Sequence, residues 1–310
     1  MAYDVIGDIH GQAEKLHALL QYLGYRDAQG AYRHPNRTAI FVGDFVDRGP
    51  RQVDSVMTVR RMVEQGTAMA VMGNHEFNAI AWHTPKEDGS EEFLRTRSGE
   101  LGKRNRHQHA AFLAEVEDKP LLHKELIDWF YSLPLWLDLP GIRVVHACWH
   151  DGYISQLSQH LVTGNRLTPD LMARASSPKT MEFRTVEGLT KGLEVDLPEG
   201  HIFHDKDGHV RHNVRIRWWD QSATTYRDLA LMPEHLRSEL PDIAIPAGIQ
   251  PEYDRQKPVF FGHYWMTGTP KLLSSKAACV DYSAAKDGPL VAYRWDGESE
   301  LQALNFAQVG

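Results

Sequence analysis

The 310-residue chain has only two cysteines, Cys148 and Cys279, far apart in sequence. Two thiols argue against a disulfide framework and fit a reducing compartment. No apolar run reaches membrane-spanning length, and the opening stretch MAYDVIGDIHG has no basic region ahead of an apolar core. These absences predict no membrane span and no secretion signal, so a cytoplasmic location is expected. Basic charge is also short. Against 41 Asp and Glu stand 34 Lys and Arg, a formal net charge of −7. That balance argues against a general nucleic-acid-binding surface, while a local basic cleft stays open. Internal repeats and low-complexity tracts are absent. What remains is ordinary globular composition, 42% hydrophobic and 24% charged, with length for a large core.

Histidine is the abundant residue, 17 in all. Most are surface or packing residues on this reading, but some fall in a pattern. Tyr3-Asp4-Val5-Ile6 is an apolar run ending in Gly7-Asp8-Ile9-His10-Gly11, followed by a helical pattern with Ala13, Leu16, Leu19, Leu20 and Leu23 on one face. Thr38 to Val42 leads into Gly43-Asp44-Phe45-Val46-Asp47-Arg48-Gly49-Pro50. A helix is expected to start near Pro50, carry Val53, Val56, Met57, Val59 and Val63 inward, and stop at Gly66. Ala68 to Met72 leads into Gly73-Asn74-His75-Glu76. Strand, turn and helix thus recur three times, which predicts a mainly parallel sheet with helices on its faces.

Further along, residues 83–118 are polar and read as a surface insertion, helical from about Gln108. Glu125 to Leu133 reads as an amphipathic helix, and Ile142 to Val145 as a strand ending in His146. Residues 153–254 hold only short apolar runs and read as a cap-like excursion containing a hairpin that turns at Asp207-Gly208. Pro258 to Phe261 ends in Gly262-His263, and strands are expected at Ala278–Tyr282, Leu290–Trp295 and Leu301–Phe306.

Five apolar runs therefore end in metal-ligand types: Asp8 with His10, Asp44, Asn74, His146 and His263. Ligand sites in open α/β sheets form outside the carboxyl ends of the strands, so these ends can converge. Oxygen and imidazole ligands suit manganese, iron or zinc. Two ions ~3.5–4 Å apart, bridged by a carboxylate, are the usual device for phosphoryl transfer. Gly7, Gly43, Gly73 and Gly262 each precede a ligand and permit close backbone approach.

On GDIHG at 7–11, GDFVDRG at 43–49, GNHE at 73–76, His146 and FGH at 261–263, the chain resembles the calcineurin-like metallophosphoesterases, in particular the bacterial phosphoprotein phosphatase branch. The resemblance implies an α/β fold, a layered αββα sandwich of two mixed sheets flanked by helices. It implies one domain over 1–310, with the insertions at about 83–118 and 153–254 forming a cap over the active site. It implies two divalent ions, manganese foremost, with iron, zinc or nickel as alternatives. By matched position Asp8 and His10 hold one ion, Asp44 bridges, and Asn74, His146 and His263 hold the other. His75 is the general acid oriented by Asp47, Arg48 binds the substrate phosphate, and Glu76 supports the ligands. A second phosphate-binding arginine is expected from Val214–Trp219, with Arg217 or Arg215 the candidates.

The chain departs from the family pattern at Ala147-Cys148-Trp149, where Trp149 is expected to crowd or line the site, and at Tyr264-Trp265. His201, His204, His209 and His212 read as surface positions and Cys148 as a buried packing residue. Arg95, Arg97, Lys103, Arg104 and Arg106 read as a solvated loop, or as a contact for a phosphate-rich substrate. The expected activity is hydrolysis of phosphomonoesters, of the protein serine/threonine phosphatase kind, with a phosphoprotein, nucleotide or small phosphoester as substrate and no membrane partner; the acidic charge argues against nucleic acid without excluding it. The alternatives are bis(5'-nucleosyl)-tetraphosphatase and polynucleotide end phosphatase. Asp47 favours the monoesterase, because symmetrical tetraphosphatases usually lack that aspartate.

Overall fold

The computed structural model describes residues 1–204, 208–251 and 253–310. Strand β1 (Ala2–Ile6) and helix α1 (Ala13–Leu23) open the chain. A ribbon of β2 (Arg26–Ala28) and β3 (Ala31–Arg33) leads to β4 (Arg37–Phe41), α2 (Gln52–Glu64), β5 (Ala68–Ala70) and α3 (Asn74–His83). Helices α4 (Gly99–Gln108), α5 (Ala110–Val116) and α6 (Pro120–Tyr131) precede β6 (Trp136–Asp138) and β7 (Arg143–Val145). There follow α7 (Asp151–Ser158), α8 (Pro169–Ala175), α9 (Met181–Lys191), β8 (Glu194–Asp196), β9 (Phe203–His204), β10 (Val210–Arg211) and β11 (Asn213–Arg215). Two single-turn helices, α10 (Tyr226–Leu229) and α11 (Glu234–Arg237), lead to β12 (Val259–Phe261), β13 (Ala277–Cys279), β14 (Leu290–Trp295) and β15 (Phe306–Val309).

Two sheets carry the core. One runs β15-β14-β1-β4-β5 and the other β13-β12-β7-β6. In the first, β1, β4 and β5 are parallel, and β14 and β15 join antiparallel. In the second, β7, β12 and β13 are parallel and β6 is antiparallel. The periodicity of two along each strand sets the layers. Val5, Ile40, Val144 and Phe260 pack together between the sheets. Their neighbours Ile6, Phe41, Val145 and Phe261 point the other way, into the cluster with the helices. Each strand is apolar on both faces because each face is covered. At roughly 1.5–3 kcal/mol per fully buried large apolar side chain, this double burial is the main stabilising contribution. The layered αββα arrangement with two mixed sheets is the fold expected from the resemblance. The tripled strand–turn–helix pattern shows only its parallel part.

Local boundaries move for physical reasons. The inward face of α1 is Ala13, Leu16, Leu19, Leu20 and Leu23, as the spacing predicts. Helix α2 starts at Gln52, after Pro50, and buries Val56, Val59 and Met62. Val53, Met57 and Val63 are only partly buried against the core. Helix begins at Gly99 in the first insertion, well before Gln108, because Glu100, Lys103 and Arg106 are solvated helix residues with i+3 and cross-helix partners. Helix α6 starts at Pro120 in its first turn. The expected last strand at 301–306 is a 3-10 turn at Ala303–Asn305 followed by β15. Strands β9 and β10 pair antiparallel, as the hairpin reading predicts. Its expected turn residue Asp207 lies outside the described residues. Among the described residues, no helix is long and apolar enough to cross a membrane.

One charged residue interrupts the apolar β1. Asp4 is fully buried. Its carboxylate accepts hydrogen bonds from Arg37 Nε at 2.9 Å, Arg294 Nε at 3.1 Å and the Tyr25 hydroxyl at 3.0 Å. Those donors join β1, β4, β14 and the end of α1 in one ion cluster. Removing the anion leaves two guanidinium groups facing each other. Asp4→Ala is expected to cost about 3–5 kcal/mol in urea unfolding. Equal stability of parent and variant would show that the cluster contributes nothing net.

Candidate active site

Every proposed ligand lies just past the carboxyl end of a parallel strand, or opens the helix that follows one. Asp8 and His10 follow β1, Asp44 follows β4, Asn74 and His75 open α3, His146 follows β7, and His263 follows β12. The sheets are arranged so that these ends meet. Asp44 Oδ2 is 3.3 Å from His146 Nε2, 3.6 Å from His10 Nε2 and 3.9 Å from His75 Nε2. Asn74 Oδ1 lies 2.9 Å from His263 Nδ1 and 3.2 Å from His146 Nε2. Asp8 Oδ2 accepts the His263 backbone N–H at 2.9 Å. Two metal-compatible groups result, His10 with Asp44 and His75, and Asp44 with His146 and His263. Asp44 is common to both. His75 enters the first group although its matched motif position makes it an acid.

Backbone strain concentrates here. His10, Asp44, Asp47, Arg48, His263 and Trp265 all have φ between 47° and 77°, which non-glycine residues rarely adopt. Such conformations persist only where the surroundings over-determine them. Glu76 supplies part of that determination. Its buried carboxylate accepts N–H bonds from Asp44 at 2.8 Å, Phe45 at 2.8 Å and Gly73 at 3.0 Å. The loops after β4 and β5 are thereby locked together. Gly262 allows the closest approach: a Cβ there would lie 1.9 Å from Asp8 Oδ1.

The donor set fits divalent ions. His10 donates Nδ1–H to the Val46 carbonyl at 2.9 Å and His146 to the Val42 carbonyl at 2.7 Å. Those bonds aim each Nε2 inward. Asp8 Oδ1, His10 Nε2 and His263 Nε2 are buried without a hydrogen-bond partner. Orphaned polar atoms of this kind carry a cost that a cation removes. Burial, then neighbouring His75, lowers His10 to about 3. Burial, then His146, holds His263 well below the ordinary histidine value. Both are therefore neutral imidazoles, the ligating form. Burial and the nearby Asp281 push Asp8 well above the usual carboxylate range, a strain that positive charge relieves. Oxygen and imidazole donors without thiolate suit first-row divalent ions.

Beside the ligands, His75 donates Nδ1–H to Asp47 Oδ2 at 2.5 Å. Burial opposes charge on His75, but Asp44 and Asp47 outweigh it, so its pKa stands above the ordinary value. The other Asp47 oxygen accepts Nδ1–H of His109 at 2.7 Å. His109 is fully buried between Trp82 and Phe112. Sequence reading missed it: it lies in the insertion, at the junction of α4 and α5, outside every motif. Arg48 is exposed, with its guanidinium 4.3 Å from the centroid of Trp265. Lys286 lies 4.7 Å from the same ring, and His10 packs beside it. Trp265 is thus a wall of the site.

Other expected residues fall elsewhere. Trp149 does not line the ligand cluster. It is buried, donates its indole N–H to Asp151 at 2.8 Å and packs under Arg143. Arg217 is held by the Asp228 carbonyl and by Asp220 at 3.2 Å, away from the ligands. Arg215 is the arginine whose charge reaches His263, ranking after burial and His146 among the causes that depress it. Arg215 is the last residue of β11 and Arg217 lies beyond it, a difference that spacing alone does not resolve. Cys148 is buried and its thiol is pushed well up by burial, as a packing residue requires. His204, His209 and His212 are exposed and His201 half-buried. Arg97 stacks on Phe93 and Trp82, while Arg106 and Lys103 pair with Glu117 and Glu100.

Fold and side-chain set together define the class, a metal-dependent phosphoesterase. Comparison gives the family. The calcineurin-like phosphoesterase pattern matches residues 1–229, and the chain belongs to that family. A bis(5'-nucleosyl)-tetraphosphatase PrpE [asymmetrical] of Oceanobacillus iheyensis is 31% identical over 163 residues, 52% of this chain and 59% of that protein. Its namesake in Halalkalibacterium halodurans is 34% identical over 128 residues, 40% of this chain and 52% of that one. The chain thus spans little more than half the length of the curated relatives it matches. A serine/threonine phosphatase structure from Saccharomyces cerevisiae shares the fold, with TM-score 0.50 and 15% identity over 100% of this chain and 79% of that one.

Gly262→Ala tests the packing of the cluster, since the new methyl must displace Asp8. The expected result is fewer bound divalent ions per chain than the parent, read by elemental analysis after dialysis. Unchanged stoichiometry would mean that Asp8 is not needed for either ion.

Proposed function

We propose that the protein hydrolyses phosphomonoesters at a pair of divalent ions held by Asp8, His10, Asp44, Asn74, His146 and His263. The observation that carries this reading is the buried Asp44 carboxylate facing imidazoles from four different segments. When bound, the ion pair supplies Lewis-acid charge and an activated water at neutral pH. The side chains do the rest. Arg48, steadied on Trp265, presents a planar donor fork to phosphate oxygens. Arg215 is the better placed of the two arginines for a second contact. His75, whose pKa Asp44 and Asp47 hold above the ordinary histidine value against burial, faces the cluster through Nε2 and gives its proton to the leaving oxygen. Asp47 orients His75, and His109 fixes Asp47 from the other side. His109 is therefore a positioning residue. The insertions at 83–118 and 153–254 act as a cap over this site.

A second reading, cleavage of dinucleoside tetraphosphates, is favoured by the names of the relatives. Asp47 argues only against the symmetrical reaction. p-Nitrophenyl phosphate, diadenosine tetraphosphate, a phosphopeptide and a 3'-phosphorylated oligonucleotide assayed side by side with manganese separate these readings.

With manganese, p-nitrophenyl phosphate is expected to be turned over, and His75→Gln to lower kcat by about 10²–10⁴-fold, the usual weight of a general acid. Full turnover by Asp44→Asn would overturn the two-ion reading. His109→Phe keeps the buried ring but removes the N–H to Asp47. It is expected to lower kcat by about tenfold, in the range seen for supporting partners, with KM nearly unchanged. A change confined to KM would assign His109 to substrate binding.

A further inference from the structure

A cavity of about 860 Å³ lies between the two insertions, bounded by α3, α4, the turn after α8, and α9. It lies beside the helix that opens with Asn74 and His75. Phe77 and Asn78 on its wall stand one turn beyond Asn74 and His75 in α3. On the opposite wall, α9 offers the Leu189 carbonyl to the N–H groups of Ala147 and Cys148, next to His146. Arg95, another wall residue, hydrogen-bonds to Gln108 beside His109, within electrostatic reach of Asp47.

The size falls within the roughly 300–1,000 Å³ of small-ligand sites. The chemistry narrows the occupant. Phe77, Leu94 and Phe183 give an apolar, partly aromatic lining. Asn78 and Thr96 bring an amide and a hydroxyl to the same wall, and the Ser176 hydroxyl is buried without a hydrogen-bond partner. The charges cancel: Lys86, Arg95 and Lys191 stand against Glu87, Asp88 and Glu187, with Lys191 paired to Glu187. A polyanion gains little there. A flat, neutral, hydrogen-bonding group gains both stacking and polar contacts.

We infer that this cavity receives the nucleoside of a nucleotide substrate while its phosphate occupies the ligand cluster. The inference rests on the phosphoesterase reading and names the substrate class for it. The base lies against Phe183 and Phe77, the side-chain amide and hydroxyls meet its polar edge or the ribose, and Arg95 stands at the junction with the phosphate.

Calorimetry of the full chain, without added metal, tests it apart from turnover, with adenosine 5'-monophosphate, ribose 5-phosphate and inorganic phosphate as probes. Adenosine 5'-monophosphate is expected to bind at least about tenfold more tightly than ribose 5-phosphate, the gain of one stacked base. Phe183→Ala is expected to lose about fivefold or more of that affinity, with inorganic phosphate unaffected. Leu101→Trp, at a wall position that is 51% exposed, adds bulk without disturbing the core and is expected to do the same. Equal binding of the two ribose phosphates would overturn the assignment, as would parent-like nucleotide affinity in both variants. A phosphopeptide that binds the parent and is lost in Leu101→Trp would overturn it in favour of peptide. Failure of the parent to hydrolyse any phosphoester with manganese would sink the phosphoesterase reading alone, because the binding result is obtained without it.

Discussion

The site depends on holding one carboxylate, Asp44, in a place that electrostatics alone would forbid. It is buried, and without the imidazoles around it burial would neutralise it. His146 and His75 outweigh burial and keep its pKa well below the usual carboxylate range. The left-handed backbone at Asp44 and the bonds from Glu76 to Asp44, Phe45 and Gly73 fix where that charge sits. Each ligand is then positioned relative to it. The two-sheet core serves this arrangement by bringing the ends of β1, β4, β5, β7 and β12 to one edge.

That Asp8, His10, Asp44, Asn74, His146 and His263 converge was legible in the sequence because they obey a local rule. Each lies at the end of a short apolar run that is a strand, and all of the runs but the one before His146 end in a glycine. The two-sheet layering was legible only through the family resemblance, since β14, β15 and β6 carry no turn-and-helix signature of their own. His109 was invisible for a different reason. Its partner Asp47 is 62 residues away, and its own neighbourhood is a junction between the polar α4 and the short apolar α5, outside every motif. Arg215 closes β11 and Arg217 lies two residues beyond it, so sequence spacing does not choose between them and only tertiary contacts do. Trp149 follows a ligand by three positions and yet packs inward, because α7 begins at once and carries the chain away from the cluster.

The wall made by Trp265 joins two parts of the site that the motifs treat separately. It stacks on Arg48 from the loop after β4 and on Lys286 from the segment before β14, and it touches His10. Its backbone N–H is tied to Asp281 at 2.6 Å, and Asp281 in turn raises the pKa of Asp8. Arg48, Lys286, His10 and, through Asp281, the Asp8 carboxylate are thus all linked to one indole residue.

Asp8 and His263, joined by one hydrogen bond, are 255 positions apart in the chain. No early folding unit drawn from one half of the sequence holds both. The group of Asp44, His146 and His263 therefore forms only once both sheets have docked, whereas His10, Asp44 and His75 all come from the first 75 residues.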